Sequence, residues 1–402
     1  MEPNLKISIN NRVLVTYAWV RSSYAIMRNL ARHGLEVYVG DTDKIFMSSV
    51  SRYSKKSFSY PSFRKDPEGF IYRVIKFIKE NDIGTYLPSH EEILVVSKNI
   101  DRFPANVKIP ISEYEKIYTL YNKKLSGELA EKLGIPVPKT YSVSSLKEFK
   151  DNLENYPIPA VIKMQNSNAA HGVFFAYSAE ELKKKYIKVV ETFHVKNNFP
   201  LIQQRIGAKI YAVSLLADKG DVIAQFVRRN IREKETFGGV CTKCESVHHD
   251  KVLVYAIKML ACLEFTGVAM FEFLVDEKKD SAYFMEANPR YWGTVDHDIS
   301  CGVEFPFYQF CLANGIEFKP KDDYKSGLKS RWIVGDAISF LNKTKQSKSI
   351  RENLKCYLTF DDNNFMDFKL EDPLPFFFEA YFYLIDFIKT KFFNKREDGM
   401  VS

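Results

Sequence analysis

Two strand-like segments of the sequence carry carboxylates that are expected to face each other. Residues 269–275 and 281–288 flank the charged turn 276–280, a pattern typical of a β-hairpin with a loop of several residues. A turn centred on Lys279 places Glu272 opposite Glu286, with their Cβ atoms about 5 Å apart. Like charges at that distance destabilise a sheet, so the pattern predicts a cation that offsets them.

The second strand continues this face with an amide and a guanidinium. Asn288 follows Glu286 by two residues and Arg290 follows Asn288 by two, and alternate residues of a strand share a face. Two carboxylates and an amide oxygen suit Mg²⁺ bridging nucleotide phosphates, and Arg290 would neutralise charge on a transferring phosphoryl group. The alternative is a surface hairpin with solvated acidic side chains.

This hairpin resembles the nucleotide site of the ATP-grasp superfamily, which has a Glu on one strand and a Glu-x-Asn-x-Arg motif on the next. The matching segments are Phe-Glu-Phe-Leu at 271–274 and Glu-Ala-Asn-Pro-Arg at 286–290, and the resemblance extends over residues 12–315. It implies ATP and Mg²⁺ as cofactors, with Mn²⁺ as an alternative metal. It also implies Glu272, Glu286 and Asn288 as metal ligands and Arg290 as a catalytic residue.

Two lysines resemble the lysines with which this family binds its nucleotide. Lys123 or its neighbour Lys124 precedes Leu-Gly-Ile-Pro-Val-Pro at 133–138, and Lys163 ends an apolar strand. A lysine beside a flexible loop is a mobile positive charge for phosphates. We predict that Lys123 and Lys163 bind the nucleotide; the alternative for each is a lysine in solvent.

Two further segments resemble the family's phosphate loop and adenine linker. The loop 165–172 stands where the family has a glycine-rich lid but contains one glycine, and we predict nucleotide contacts at Ser167 and His171. The segment 201–206 resembles the linker that holds adenine by its backbone, which adds Gln203, Gln204 and Ile206. The family usually has Glu where Gln204 stands.

Arg228 and Arg229 lie on a predicted strand, where the family uses a basic residue for the γ-phosphate or the substrate carboxylate. Adjacent strand residues point to opposite faces, so only one of the two can face the site. We predict that Arg229 is the catalytic one, and the alternative is an exposed arginine.

The elements that position these residues indicate an α/β protein. Residues 13–18, 24–31 and 36–40 read as strand, helix and strand, which predicts a parallel sheet in an N-terminal domain, 1–112. An α+β ATP-grasp domain, 113–320, follows, with a lid unit at about 158–203. A helical extension, 321–402, completes the predicted architecture.

Two smaller features allow competing interpretations. Cys241 and Cys244 with His248 and His249 would supply ligands to zinc, but a single Cys-x-x-Cys is a weak signal, and thiols in a substrate-facing loop are the alternative. Residues 374–388 form a predicted aromatic helix whose polar residues are Glu379, Asp386 and Lys389. Such a helix is buried in the core or at a subunit contact, or, with the basic residues up to 396, attaches to an anionic membrane.

Composition excludes several classes of protein. The 402 residues are 46% hydrophobic and 27% charged, as in globular chains, and six cysteines are too few for a disulfide framework. A net charge of +8 without basic runs favours anionic ligands over nucleic acid. No apolar stretch has the length of a spanning helix, and the predicted location is the cytoplasm, with peripheral membrane contact through residues 374–396 as the alternative.

The resemblance implies a stand-alone ligase that joins a carboxylate to an amine through an acyl-phosphate, releasing ADP and phosphate. The predicted partners are ATP and small substrates: an amino acid, an amino sugar or a cell-surface precursor. A homodimer is left open. The alternative is a non-catalytic nucleotide-binding scaffold whose C-terminal helix serves a partner or a membrane.

Overall fold

The chain opens with a parallel sheet, as its alternating strand and helix pattern predicts. The computed structural model describes residues 9–166, 172–235, 238–321, 323–346, 350–359 and 361–392. The elements of this first region are β1 (Arg12–Thr16), α1 (Arg21–Arg32), β2 (Glu36–Asp41), β3 (Ser54–Ser59), α2 (Pro67–Glu80), β4 (Thr85–Leu87) and α3 (Ile93–Lys98). The strand order is β3-β2-β1-β4, so the direction of winding reverses between β1 and β4. Ligands of parallel α/β sheets bind in the crevice at such a reversal, beyond the carboxyl ends of the strands.

A small antiparallel sheet follows, with the order β5-β8-β6-β7. Its region contains α4 (Tyr114–Tyr121), α5 (Lys123–Lys132), β5 (Thr140–Tyr141), α6 (Leu146–Asp151), β6 (Ala160–Lys163), β7 (Val173–Ala176), α7 (Ala179–Thr192) and β8 (Leu201–Gln204). The Ser178 side chain accepts a hydrogen bond from the Glu181 N–H, which caps α7 as the sequence predicts. This sheet begins at Thr140, earlier than the predicted start of the lid unit at residue 158.

The largest sheet is built mainly from long antiparallel strands. This region contains β9 (Lys209–Asp218), β10 (Asp221–Glu235), β11 (Gly238–Ser246), α8 (Asp250–Cys262), β12 (Gly267–Asp276), β13 (Ser281–Asn288), α9 (Val295–Ser300) and α10 (Phe305–Asn314). The strand order is β13-β12-β9-β10-β11-β14-β15, where β14 (Lys329–Arg331) and β15 (Asn364–Phe365) come from the C-terminal region. Because these two strands join the central sheet, the domain boundary at 320 stays a prediction.

The C-terminal region also contains α11 (Ile333–Gln346), α12 (Ile350–Tyr357) and α13 (Leu374–Phe392), which agrees with the predicted helical extension. The polar stripe expected on α13 does not face solvent at Glu379, whose side chain is buried and accepts a hydrogen bond from Trp332 Nε1 at 3.1 Å. The side chains of Asp386 and Lys389 lie outside the described residues. The exposed face of α13 is instead apolar, with more than half of each side chain exposed at Leu374, Phe377, Tyr381 and Leu384. None of the described helices combines the length and hydropathy needed to cross a bilayer.

Candidate active site

Two of the three proposed metal ligands, Glu272 and Glu286, lie in one row of paired residues that crosses four strands of the central sheet. Glu286 on β13 is opposite Glu272 on β12, as the hairpin pattern predicts, and Glu272 is opposite Ala212 on β9. Ala212 is in turn opposite Arg228 on β10. Directly paired residues of neighbouring strands share a face, and the small Ala212 leaves room above it. Arg228 Nη2 therefore reaches within 3.7 Å of Glu272 Oε1.

The two carboxylates differ in their affinity for a proton. Burial is the main cause that raises the pKa of Glu272 to about 7; the neighbouring Glu286 adds to the shift and Arg228 opposes it. Burial also disfavours ionisation of Glu286, but Lys123 and Lys163 outweigh it and hold the pKa of Glu286 below its usual range. The pair is thus one buried carboxylate well supplied with positive charge and one that is short of it.

Lys123 forms an ion pair with Glu286, and a helix cap fixes the position of Lys123. The Asn122 side chain accepts hydrogen bonds from the N–H groups of Lys124 and Leu125 and so begins α5. Lys123 Nζ then lies 3.2 Å from Glu286 Oε2, with the side chain 8% exposed. Lys124, the other lysine considered, lies near Glu128 at 3.8 Å and is 42% exposed.

Lys163 is buried at the end of β6, where a solvated lysine would not be found. Burial is the main cause that lowers its pKa to about 8; Glu286 and Glu272 oppose the shift, and Lys123 adds to it. Two lysines and two carboxylates therefore influence one another across the gap between the small sheet and β12–β13.

Asn288 and Arg290 continue the face of Glu286. Asn288 Nδ2 lies 3.5 Å from Glu286 Oε1, and Arg290 Nη2 donates a hydrogen bond of 3.0 Å to Asn288 Oδ1. Arg290 Nη1 donates to the Tyr291 carbonyl at 2.8 Å, whereas its buried Nε has no partner among the described residues. Arg290 is thus held at the site with a donor to spare.

These groups fit a hard divalent cation with attached phosphates. Glu272, Glu286 and Asn288 offer oxygen ligands, and the raised pKa of Glu272 indicates that the charge of this one carboxylate is not fully offset by its neighbours. Lys123, Lys163, Arg228 and Arg290 surround them with positive charge suited to phosphate oxygens.

The structure does not bring Arg229 to this group, and the choice between the two arginines requires correction. Arg229 Nη2 pairs with Glu245 at 2.8 Å and its Nη1 with Glu277 at 3.3 Å, on the other face of the sheet. The cause is a β-bulge in β10, where the register shifts by one residue between Val222 and Ala224. A one-residue shift turns every later side chain of the strand to the opposite face.

The predicted adenine and phosphate-loop residues are less well defined. Gln203 is buried on β8 and its Nε2 donates to Thr140 Oγ1 at 2.9 Å, whereas Gln204 is exposed and Ile206 is half-buried beyond the strand. Their contact with adenine stays a prediction. Ser167 and His171 lie outside the described residues.

A polar group at the crevice between β1 and β4 was not found from the sequence. His90, which follows β4, stacks on Tyr17, which follows β1, with ring centroids 4.3 Å apart and planes 8° apart. Burial, followed by Arg290 and Arg64, lowers the pKa of His90 well below its usual range, so the imidazole is neutral. The segment Ser-His-Glu at 89–91 after a short strand was the signal available. His90, at the crevice of the first sheet, therefore lies within electrostatic range of Arg290.

The zinc interpretation receives no support from the described residues. Within that part of the chain no three His, Cys, Asp or Glu side chains gather as a metal site. Cys241 and Cys244 are buried thiols on β11, while His248 stacks on Tyr324 and the ring of His249 meets Tyr211 edge-on.

Comparison with known proteins places this site in a recognised domain. Residues 121–294 match the family model described as the ATP-grasp domain. The carbamoyl phosphate synthase large chain of Methanobrevibacter smithii is 23% identical over 303 residues, which cover 72% of this chain and 27% of that one. The chain thus spans less than a third of the length of that relative.

Solved structures share the fold at low sequence identity. N5-carboxyaminoimidazole synthetase from Staphylococcus aureus, complexed with ADP, aligns with a TM-score of 0.67 and 13% identity, over 83% of this chain and 85% of that chain. L-amino acid ligase from Bacillus licheniformis aligns with a TM-score of 0.58 and 17% identity, over 75% of this chain and 73% of that chain. The similarity of fold thus extends beyond residues 121–294 to most of the chain.

Proposed function

Because residues 121–294 form an ATP-grasp domain, we propose that the chain is an ATP-dependent ligase that joins a carboxylate to an amine. The observation that carries the proposal is the row of Arg228, Glu272 and Glu286 on one sheet face, with Lys123 beside it. ATP and Mg²⁺ are the proposed cofactors. Glu272, Glu286 and Asn288 would hold the metal, which would offset the negative charge of the two carboxylates and of the phosphates.

The residues of the chain would then act mainly through position and charge. The substrate carboxylate forms a bond to the γ-phosphorus while the bond to the β-phosphate oxygen breaks and ADP leaves. The amine next attacks the acyl carbon, phosphate leaves, and the nitrogen loses a proton. Arg290 and Arg228 stabilise charge on the transferring group, and Lys123 and Lys163 hold the other phosphates.

We propose an amino acid as the carboxylate substrate, a proposal supported by the shared fold with the L-amino acid ligase. The crevice between β1 and β4 is the proposed place of the substrate, since Tyr17 and His90 border it and Arg290 influences His90. The neutral imidazole of His90 is a suitable hydrogen-bond partner for the amine.

The six cysteines are free, which suits a reducing compartment.

The test measures ADP release by the full chain with Mg²⁺, ATP and a panel of amino acids and amino sugars. We expect ADP release that depends on a pair of substrates and falls at least about 100-fold in Glu286→Gln. The matched control is Glu245→Gln, because Glu245 is 15% exposed, similar to Glu286 at 20%, but pairs with Arg229 away from the row. Tight ATP binding without turnover for any pair would favour the scaffold interpretation and contradict the ligase.

A further inference from the structure

A second cleft lies outside the ATP-grasp domain, between the first sheet and the C-terminal helix. Its walls come from the segment after β1, from the segment after β2 and from α13, and they include Trp19, Arg21, Phe46, Phe378, Glu379 and Phe382. The cleft encloses about 440 Å³, including the part open to solvent. None of its lining residues belongs to the matched segment 121–294.

Trp332 positions Arg21 and Glu379, two of the ionisable groups that line this cleft; Asp43 is a third. The guanidinium of Arg21 lies 3.7 Å from the centre of the Trp332 ring, and its Nε donates to the Gly293 carbonyl at 2.9 Å. The indole N–H of the same Trp332 donates to Glu379 Oε1 at 3.1 Å. Arg21 and Glu379 are therefore both fixed on one aromatic platform, which is buried.

Three buried polar atoms of the cleft lack hydrogen-bond partners among the described residues. They are Arg21 Nη2, Trp19 Nε1 and Glu379 Oε2, and the residues that carry them are 5%, 9% and 6% exposed. A buried polar atom without a partner costs about 1–3 kcal/mol, so proteins rarely keep three in one place. Two of the atoms are donors, one on a cation, and the third belongs to a carboxyl group. Together they match a ligand with an anionic and a cationic end.

The positive charge near Glu379 does not fully offset the burial of its carboxyl group. Burial is the main cause that raises the pKa of Glu379 to about 8; Asp367 adds to the shift, while Arg21 and Lys234 oppose it. A cation beside Oε2 would favour the ionised carboxylate and offset part of the burial. The walls between the polar atoms are aromatic, since Trp19 packs on Phe382 with ring centroids 5.6 Å apart.

We propose that this cleft binds a free α-amino acid with a large apolar side chain. Its carboxylate lies against Arg21 and Trp19, its ammonium lies against Glu379, and its side chain packs on Phe378 and Phe382. The site is separate from the nucleotide site and does not depend on the proposed ligase activity, because binding is measured directly and without ATP.

Calorimetric titration of the full chain with L-phenylalanine at about pH 8 tests the proposal. We expect saturable binding with a dissociation constant below about 1 mM, and its weakening in Glu379→Gln distinguishes this cleft from the proposed substrate crevice between β1 and β4. Phenylpropionate lacks the ammonium and phenethylamine lacks the carboxylate, so each is expected to bind at least about tenfold more weakly. Equal affinities for the three compounds, or no saturable binding up to about 10 mM L-phenylalanine, would overturn the proposal.

Two variants separate the two ends of the ligand. Glu379→Gln is expected to weaken L-phenylalanine binding about tenfold while leaving phenylpropionate unchanged, and Arg21→Gln is expected to weaken both. Phe377→Leu is the matched control, because Phe377 neighbours Phe378 on α13 but is 61% exposed. The affinity of this variant for L-phenylalanine should be unchanged. Weakening by Phe377→Leu equal to that by Glu379→Gln would contradict the site. The analogue series on the unaltered chain decides the question if a variant does not fold.

Discussion

The exchange of Arg228 or Arg229 for glutamine tests which face of β10 serves the site. Arg228 is 2% exposed and its guanidinium lies 3.7 Å from Glu272, a separation that corresponds to about 4 kcal/mol of attraction at an effective dielectric constant of about 20. Glu272 has a pKa of about 7 and can take up a proton when the arginine is lost. We therefore expect about half of that energy, about 2 kcal/mol, to be lost from the free energy of unfolding.

The neighbouring Arg229→Gln provides the comparison. Arg229 is 32% exposed and pairs with Glu245 and Glu277, so its loss should change the free energy of unfolding by at most about 1 kcal/mol. Denaturant unfolding gives both values, and calorimetric titration with a non-hydrolysable ATP analogue and Mg²⁺ gives the nucleotide affinity. Arg228→Gln should weaken that affinity at least about tenfold, and Arg229→Gln less than about twofold. The reverse order would refute the assigned register of β10.

Three further predictions concern the groups around this row. Lys123→Met should weaken binding of the ATP analogue at least about tenfold in calorimetric titration, whereas Lys124→Met should leave it unchanged, because only Lys123 lies against Glu286. Loss of the helix cap in Asn122→Ala should lower the free energy of unfolding by about 1 kcal/mol and also weaken nucleotide binding. The control Ser145→Ala removes the cap of α6 and should lower stability without changing nucleotide binding. Equal nucleotide affinities in the two variants would contradict the role given to Asn122. The His90 imidazole should remain neutral from pH 8 down to about pH 6 in NMR spectra, since burial and two arginines lower its pKa, and protonation near pH 6.5 would refute its assigned surroundings.

The hairpin shows what sequence spacing can predict and where it ends. Glu272 does lie opposite Glu286 and Met270 opposite Asn288, but Phe273 lies opposite Phe284, because the register shifts by one residue at a β-bulge. The turn itself pairs Asp276 with Ser281, so it is not centred on Lys279. The predicted pairing of Glu272 with Glu286 is correct only because the one-residue shift at the bulge compensates for the error in the position of the turn. No feature of the sequence marks the bulge.

The same limit explains the error at β10 and the surprise at α13. Alternation along the strand shows that Arg228 and Arg229 face opposite ways, but the bulge after Val222 decides which one faces Glu272. On α13 the apolar pattern continues around the helix, so periodicity does not identify the inner face. The buried face carries Glu379, which accepts a hydrogen bond from Trp332, and Phe378 and Phe382, which pack on the core.

The fold was predictable because its signals are local. Strand and helix patterns in the first 90 residues, the cap at Ser178 and the apolar strand before Lys163 each depend on a few neighbouring residues. The crevice at His90 and the cleft at Arg21 instead depend on contacts between distant parts of the chain. Arg21 and Glu379, for example, meet only through Trp332.

The path of oxygen in the reaction tests the central claim most directly. The full chain is incubated with Mg²⁺, ATP, amines and amino acids whose carboxylates carry ¹⁸O, and the released phosphate is analysed by mass spectrometry. An acyl-phosphate intermediate transfers one carboxylate oxygen to phosphate, so the account predicts phosphate with one ¹⁸O atom, formed together with ADP. ADP formed with unlabelled phosphate would show that water attacks ATP, and would contradict the proposed ligase.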